Sequence, residues 1–207
     1  MNLRFVAYLL GWLLLVAAVF LCMPLAASLL FGEAPAPFLA AIALAGAAGL
    51  ALVKVRPPAD RHIRPRDGFL VVSGAWIAVS VLGAVPYLVA GTLGPVDALF
   101  ESVSGFTTTG STVIADTATV PDSLLLWRAE THWLGGMGIL VLCVAILPLL
   151  GVGGMQIYRA EVAGPSKDRL TPRIQDTAKL LWGVYLLLSV IELGLLMAGI
   201  HPESQAA

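Results

Sequence analysis

The chain has 207 residues, is 58% hydrophobic and only 12% charged, and carries a formal net charge of −1; its mean hydropathy is +0.90. A soluble domain is typically about a quarter charged, so the composition points to a lipid bilayer as solvent and gives no basis for nucleic-acid binding. The two cysteines, Cys22 and Cys143, both lie in apolar runs; they read as packing residues, with neither a disulfide framework nor a metal site.

Five apolar runs are long enough to cross a membrane, or nearly so: residues 5–30, 38–53, 69–90, 133–150 and 180–200. A crossing needs roughly 20 residues at about 1.5 Å each. The first run exceeds the roughly 7–15 apolar residues of a signal peptide, so it reads as a retained helix, kinked at Pro24. The second connection holds Lys54, Arg56, Arg61, Arg64 and Arg66, and the fourth holds Arg159, Lys167, Arg169 and Arg173. The third, residues 91–123, holds Asp97, Glu101, Asp116 and Asp122 and no basic residue. Basic loops stay in the cytoplasm. The N-terminus and both basic loops are therefore placed there, and the acidic connection faces outward, where its charge concentrates cations. Any single one of these carboxylates is equally well explained as part of the topology signal.

Within the third connection, Pro95 suits the first turn of a helix and Asp97 suits its positive end. Residues 96–106 form a short helix spanning only about 16 Å, half a bilayer, with Gly105 expected to end it. Next comes Thr107-Thr108-Thr109-Gly110-Ser111. Non-helical backbone at membrane depth is tolerated where it is buried in protein or lines an aqueous cavity. Carbonyls there can replace a cation's hydration shell, and Gly110 supplies the φ freedom of the turn. The plain alternative is an ordinary Ser/Thr-rich surface turn. The preceding half-helix and the flanking spans favour a re-entrant pore loop.

Other features carry less. Arg128, Glu130 and His132 have no second ligand at metal spacing and read as an Arg–Glu pair, with Trp127 and Trp133 at headgroup depth. Gly135-Gly136-Met137-Gly138 fits close helix packing; residues 151–154, after Pro148, fit a flexible cytoplasmic turn. Glu192, with Ser189 and Tyr185 one and two turns earlier, fits a helix-to-helix bond better than ion contact. No nucleophile, acid–base pair or metal at depth points to an enzyme.

The run from Asp97 to Gly110 resembles the first pore loop of the Trk/Ktr potassium-uptake family, specifically its TrkH-type membrane subunit. Further motifs agree in order: Arg66-Asp67-Gly68-Phe69, Pro86-Tyr87, Trp127-Arg128, residues 132–138, residues 147–156, Arg159-Ala160-Glu161 and residues 164–173. The resemblance covers residues 64–200. It implies an all-α integral membrane protein of helix–pore-loop–helix repeats, here with five spans and one re-entrant loop. Residues 1–66 would hold two N-terminal spans and a basic loop, 67–156 the first repeat, 157–179 a second basic loop, and 180–207 the first helix of a further repeat. It also implies potassium as the transported ion, with no organic cofactor. The backbone carbonyls of Thr108, Thr109 and Gly110 would be its ligands, with Thr107 and Ser111 next. The implied setting is a bacterial inner membrane, as a homodimer, with a peripheral TrkA-like nucleotide-binding regulatory subunit on the cytoplasmic side. One pore loop is too few to close a carbonyl ring, so the chain is expected to be a fragment or truncated reading frame, inactive without the missing pore repeats. The alternative is a non-catalytic membrane scaffold or assembly protein.

Overall fold

The computed structural model describes residues 2–55, 65–146 and 170–198. Among them the elements are all helical: α1 (Leu3–Phe20), α2 (Cys22–Leu30), α3 (Ala36–Val53), α4 (Pro65–Ala90), α5 (Pro95–Phe106), α6 (Asp122–Ile146) and α7 (Leu170–Met197), plus a 3₁₀ turn at Thr117–Thr119. The chain divides into two compact units, residues 1–136 and 137–207.

In the first unit, α1, α3 and α4 pack together and α5 lies on α4. Asn2 opens α1, its side chain accepting from the Phe5 N–H at 3.2 Å, and its own N–H donates to Asp67 Oδ1 at 3.0 Å. Leu21 interrupts the first span between α1 and α2, three residues before Pro24, where a kink is expected. Pro24 has no N–H for the Phe20 carbonyl, so one rung of the ladder is missing. α1 and α3 meet at Gly11 and Gly49. A Cβ on Gly11 would lie 2.8 Å from Val53 N and 2.9 Å from Gly49 O, the close approach that small residues permit between membrane helices. Leu14, Leu21, Phe38, Ala41 and Ala45 form the nearby core. Cys22 is exposed and so is not the packing residue that its apolar setting implied; the Cys143 side chain lies outside the described residues.

α2 and α4 end alike. Gly32 and Gly91 take φ of 71° and 69°. The Glu33 and Gly32 amides donate back to Ser28 and Leu29, and the Thr92 and Gly91 amides to Tyr87 and Leu88. This is the Schellman ending, with glycine in the left-handed position.

Among the described residues, four stretches are long and apolar enough to cross a membrane: Leu3–Leu30, Ala36–Val53, Arg66–Ala90 and Asp176–Met197. They coincide with the first, second, third and fifth apolar runs. The fourth run begins inside α6, and its residues 147–150 lie outside the described residues. In the second unit, α7 carries Ser189 Oγ donating to the Tyr185 carbonyl at 2.9 Å, one turn back. Of the basic connection expected at residues 157–179, residues 157–169 lie outside the described residues, as does the turn at 151–154, while residues 170–179 are not loop but the first turns of α7.

Candidate functional site: the turn after a half-length helix

α5 is a helix of 12 residues, about 18 Å long, roughly half a bilayer's hydrocarbon thickness. Gly94 is its N-cap, Pro95 fills the first helical position and Asp97 lies in the first turn. Gly105 does not end it. The helix runs to Phe106 with Thr107 as C-cap, and Gly105 instead seats the helix on α6. A Cβ there would lie 2.9 Å from Thr131 Cβ.

Glycines form the other two seats as well. A Cβ on Gly135 would come 2.7 Å from the carbonyl carbon of Phe106, and one on Gly83 would come 2.7 Å from Phe106 Cε2. The Trp127 indole donates to the Gly83 carbonyl at 3.0 Å, and its ring meets Phe106 edge-on at 6.3 Å between centroids. Trp127 is buried, so it belongs to this core and not to a headgroup belt. Pro86 withholds a donor from the same stretch of α4. On α5's buried face, Ser102 Oγ donates to the Ser80 carbonyl at 2.7 Å.

α5 closes with the bonding pattern of α2 and α4, but with a different residue. The Thr109 N–H donates to the Ser104 carbonyl and the Thr108 N–H to the Gly105 carbonyl, both at 2.9 Å. The left-handed position is Thr108, φ 57°, the one non-glycine residue among the described residues with positive φ. The left-handed region costs an L-residue about 1–2 kcal/mol, and a β-branched side chain is least at ease there. Gly110 follows with φ 77°, so the expected φ freedom is used, two residues after a threonine already has to do without it.

Hydroxyls and one carboxylate hold this turn. Ser104 Oγ donates to the Ser111 carbonyl at 2.6 Å. Thr107 Oγ1 donates to the Val103 carbonyl at 2.7 Å and lies 2.8 Å from Thr109 Oγ1. The Glu101 carboxylate accepts from Thr112 Oγ1 at 3.0 Å and from the Val113 N–H at 3.1 Å. Arg128 Nε also donates to it, forming an ion pair. Thr107 to Val113 are all exposed. Among the described residues, the carbonyls of Thr108, Thr109 and Gly110 accept no hydrogen bond. The Ser111 carbonyl is occupied by Ser104.

Two sequence expectations change here. Glu101 is not an open charge at a mouth: its side chain is fully buried, with Arg128 against it. Arg128 pairs with Glu101 and not with Glu130. Two residues apart on a helix do not face each other. Glu130 is buried, and its Oε2 has no hydrogen-bond partner among the described residues. His132 Nδ1 lies 2.8 Å from the Arg128 carbonyl. At the other end of the acidic connection, Glu33 caps α6. It accepts from the Asp122 N–H at 2.7 Å, the Ser123 N–H at 3.1 Å and Ser123 Oγ. Burial pushes the Glu33 carboxyl up, but these donors outweigh it and hold the group below its ordinary value.

Four helices among the described residues that are long and apolar enough to cross a membrane define a multi-pass membrane protein. The profile of the TrkH family, described as a cation transport protein, matches residues 38–205. The Trk system potassium uptake protein TrkH of Halomonas elongata is 44% identical over 194 residues, which are 92% of this chain and 40% of the relative. That of Escherichia coli K12 is 49% identical over 132 residues, 62% of this chain and 27% of the relative. The crystal structure of the potassium transporter TrkH from Vibrio parahaemolyticus superimposes with a TM-score of 0.81 at 34% identity, covering 98% of this chain and 41% of that one. The chain belongs to the TrkH family of cation transport proteins and spans about 40% of the length of such relatives.

Proposed function

We propose that this chain is the N-terminal part of a Trk-type potassium uptake permease, and that the turn after α5 is one wall of its selectivity filter. One observation carries the reading. A helix of half-bilayer length delivers three successive carbonyls, those of Thr108, Thr109 and Gly110, that no donor among the described residues takes up. Carbonyl oxygens in that state are suited to replace a monovalent cation's water. Thr107 and Ser111 flank them, the second with its carbonyl held by Ser104.

In this reading five spans cross a bacterial inner membrane: α1 with α2, α3, α4, the run that starts in α6, and α7. α5 is the re-entrant half-helix, the N-terminus is cytoplasmic and the turn faces outward. Potassium, for which these relatives are named, is the transported ion. Further pore repeats of the same permease, a homodimeric mate and a TrkA-like nucleotide-binding regulator on the cytoplasmic side complete the assembly.

The test is a chimera in which this chain replaces the matching segment of the Vibrio parahaemolyticus transporter, expressed in cells without potassium uptake of their own. Gly110→Ala puts a Cβ at φ 77° and is expected to lower the potassium-to-sodium uptake ratio by about tenfold, a change of about 1.4 kcal/mol in discrimination. An unchanged ratio would sink the filter assignment.

A further inference from the structure

Among the described residues, three helices end in the same hydrogen-bond pattern, and two of them put glycine in the left-handed position, at Gly32 and Gly91. The third, at the cation-facing turn, puts Thr108 there. A β-branched residue leaves that region readily unless its surroundings forbid it. The surroundings here form a closed set. Ser104 holds the Ser111 carbonyl, and Glu101 holds Thr112 and Val113. Arg128 anchors Glu101 from α6. The set bridges the turn from both sides, because Ser104 and Glu101 precede Thr108 while Ser111 to Val113 follow it. At Gly91 one hydroxyl bond crosses in the same way, Thr92 Oγ1 donating to the Tyr87 carbonyl at 3.2 Å, but among the described residues no buried carboxylate anchored from another helix spans Gly32 or Gly91, where glycine takes the conformation without strain.

We propose that Glu101 and Ser104 are positioning residues that lock Thr108 in its left-handed conformation, and that through Thr108 they fix the direction of the carbonyls at 108–110. The inference rests on the reading of this turn as cation-facing. It assigns these two side chains a task distinct from contact with the ion: Glu101 and Ser104 are both buried. A lock on a strained residue has a particular signature. When the lock is weakened, the turn opens, and a residue that adopts the left-handed region freely closes it again. A merely structural side chain has no such remedy at position 108.

The experiment is amide hydrogen exchange on the whole chain in lipid nanodiscs, which reports local opening. Ser104→Ala deletes one hydroxyl and is expected to speed exchange across residues 107–113 by about tenfold, the scale of one lost hydrogen bond, with α4 unchanged. Adding Thr108→Gly is expected to return exchange to the parent rate or below; adding Thr108→Val, which stays β-branched, is expected not to. Thr112→Val, which removes the hydroxyl donor to Glu101, serves as a second, exposed way of weakening the lock and is expected to behave the same. The proposal is overturned if neither Ser104→Ala nor Thr112→Val speeds exchange, if Thr108→Gly fails to slow it, or if Thr108→Val rescues as well as glycine. A flat exchange series removes the lock and leaves the filter reading standing. An unaltered uptake ratio for Gly110→Ala in the chimera does the reverse.

Discussion

Glycines decide how closely α5 can lie against its neighbours, and they differ in what surrounds them. Gly135 has the carbonyl carbon and Cα of Phe106 within 2.9 Å of where a Cβ would sit. Those are backbone atoms at the end of the half-helix, so they can yield only if the helix moves. Overpacking of this kind costs about 1–3 kcal/mol. Gly46, inside α3, has nothing within 4 Å of its added Cβ and no positive φ. There the gain in helix propensity over glycine, up to about 1 kcal/mol, meets no opposing clash. Gly135→Ala is therefore expected to lower the melting temperature of the detergent-solubilised chain, and Gly46→Ala to raise it or leave it level. A fall for both would mean that Gly46 is in contact with something that these helices do not provide.

Helix ends are the second scale, and the end of α6 has a titratable cap. Glu33 lies in the α2–α3 connection, 89 residues from the Asp122 amide that it accepts from. Three donors favour its ionised form, and its pKa is depressed from the ordinary 4.5. The sign follows from linkage: a depressed carboxyl stabilises the fold at pH above its unfolded value, and that contribution disappears as pH falls through the folded value. The melting temperature of Glu33→Ala should therefore lie below that of the parent chain at neutral pH, and the gap should narrow as pH drops below about 4.5. A gap that is constant through that range would assign the cap's effect to something other than its charge. The sequence made one end of each such element legible and not its partner. Pro95 and Asp97 mark the start of α5 by local chemistry alone, and the structure starts the helix there. Its finish was misplaced at Gly105, because a glycine needed for close packing looks the same in a sequence as one needed to stop a helix. The Arg128–Glu101 pair was missed for a related reason. Arg128 is the single lysine or arginine between Arg66 and Arg159, a signal that it has a special partner. Which carboxylate it meets depends on how α6 registers against α5, 27 residues away. The left-handed threonine had no sequence signature at all, since threonine is the last residue that φ preference would nominate.

At the scale of the whole molecule, the balance is between what the first unit supplies and what a cation requires. The unit fixes a half-helix by three glycine seats, an indole and a partly buried ion pair, and it leaves three successive carbonyls without a donor among the described residues. A dehydrated potassium ion needs oxygens around it, and in channel filters those come from a ring of such loops. One loop supplies one sector of that ring, however well it is held. This separates folding of the unit from transport by it. The chain by itself is expected to insert in membranes, to hold the turn and to give no potassium uptake above background in deficient cells. The chimera with the Vibrio parahaemolyticus transporter is expected to restore growth at low potassium. Restoration by this chain unaided would mean that copies of it assemble their turns into a ring, and crosslinking between cysteines placed at Ser111 of neighbouring copies would then detect that ring directly. Restoration by neither would place the deficit in the turn itself, which an exchange-protected segment at 107–113 in the same preparations would contradict.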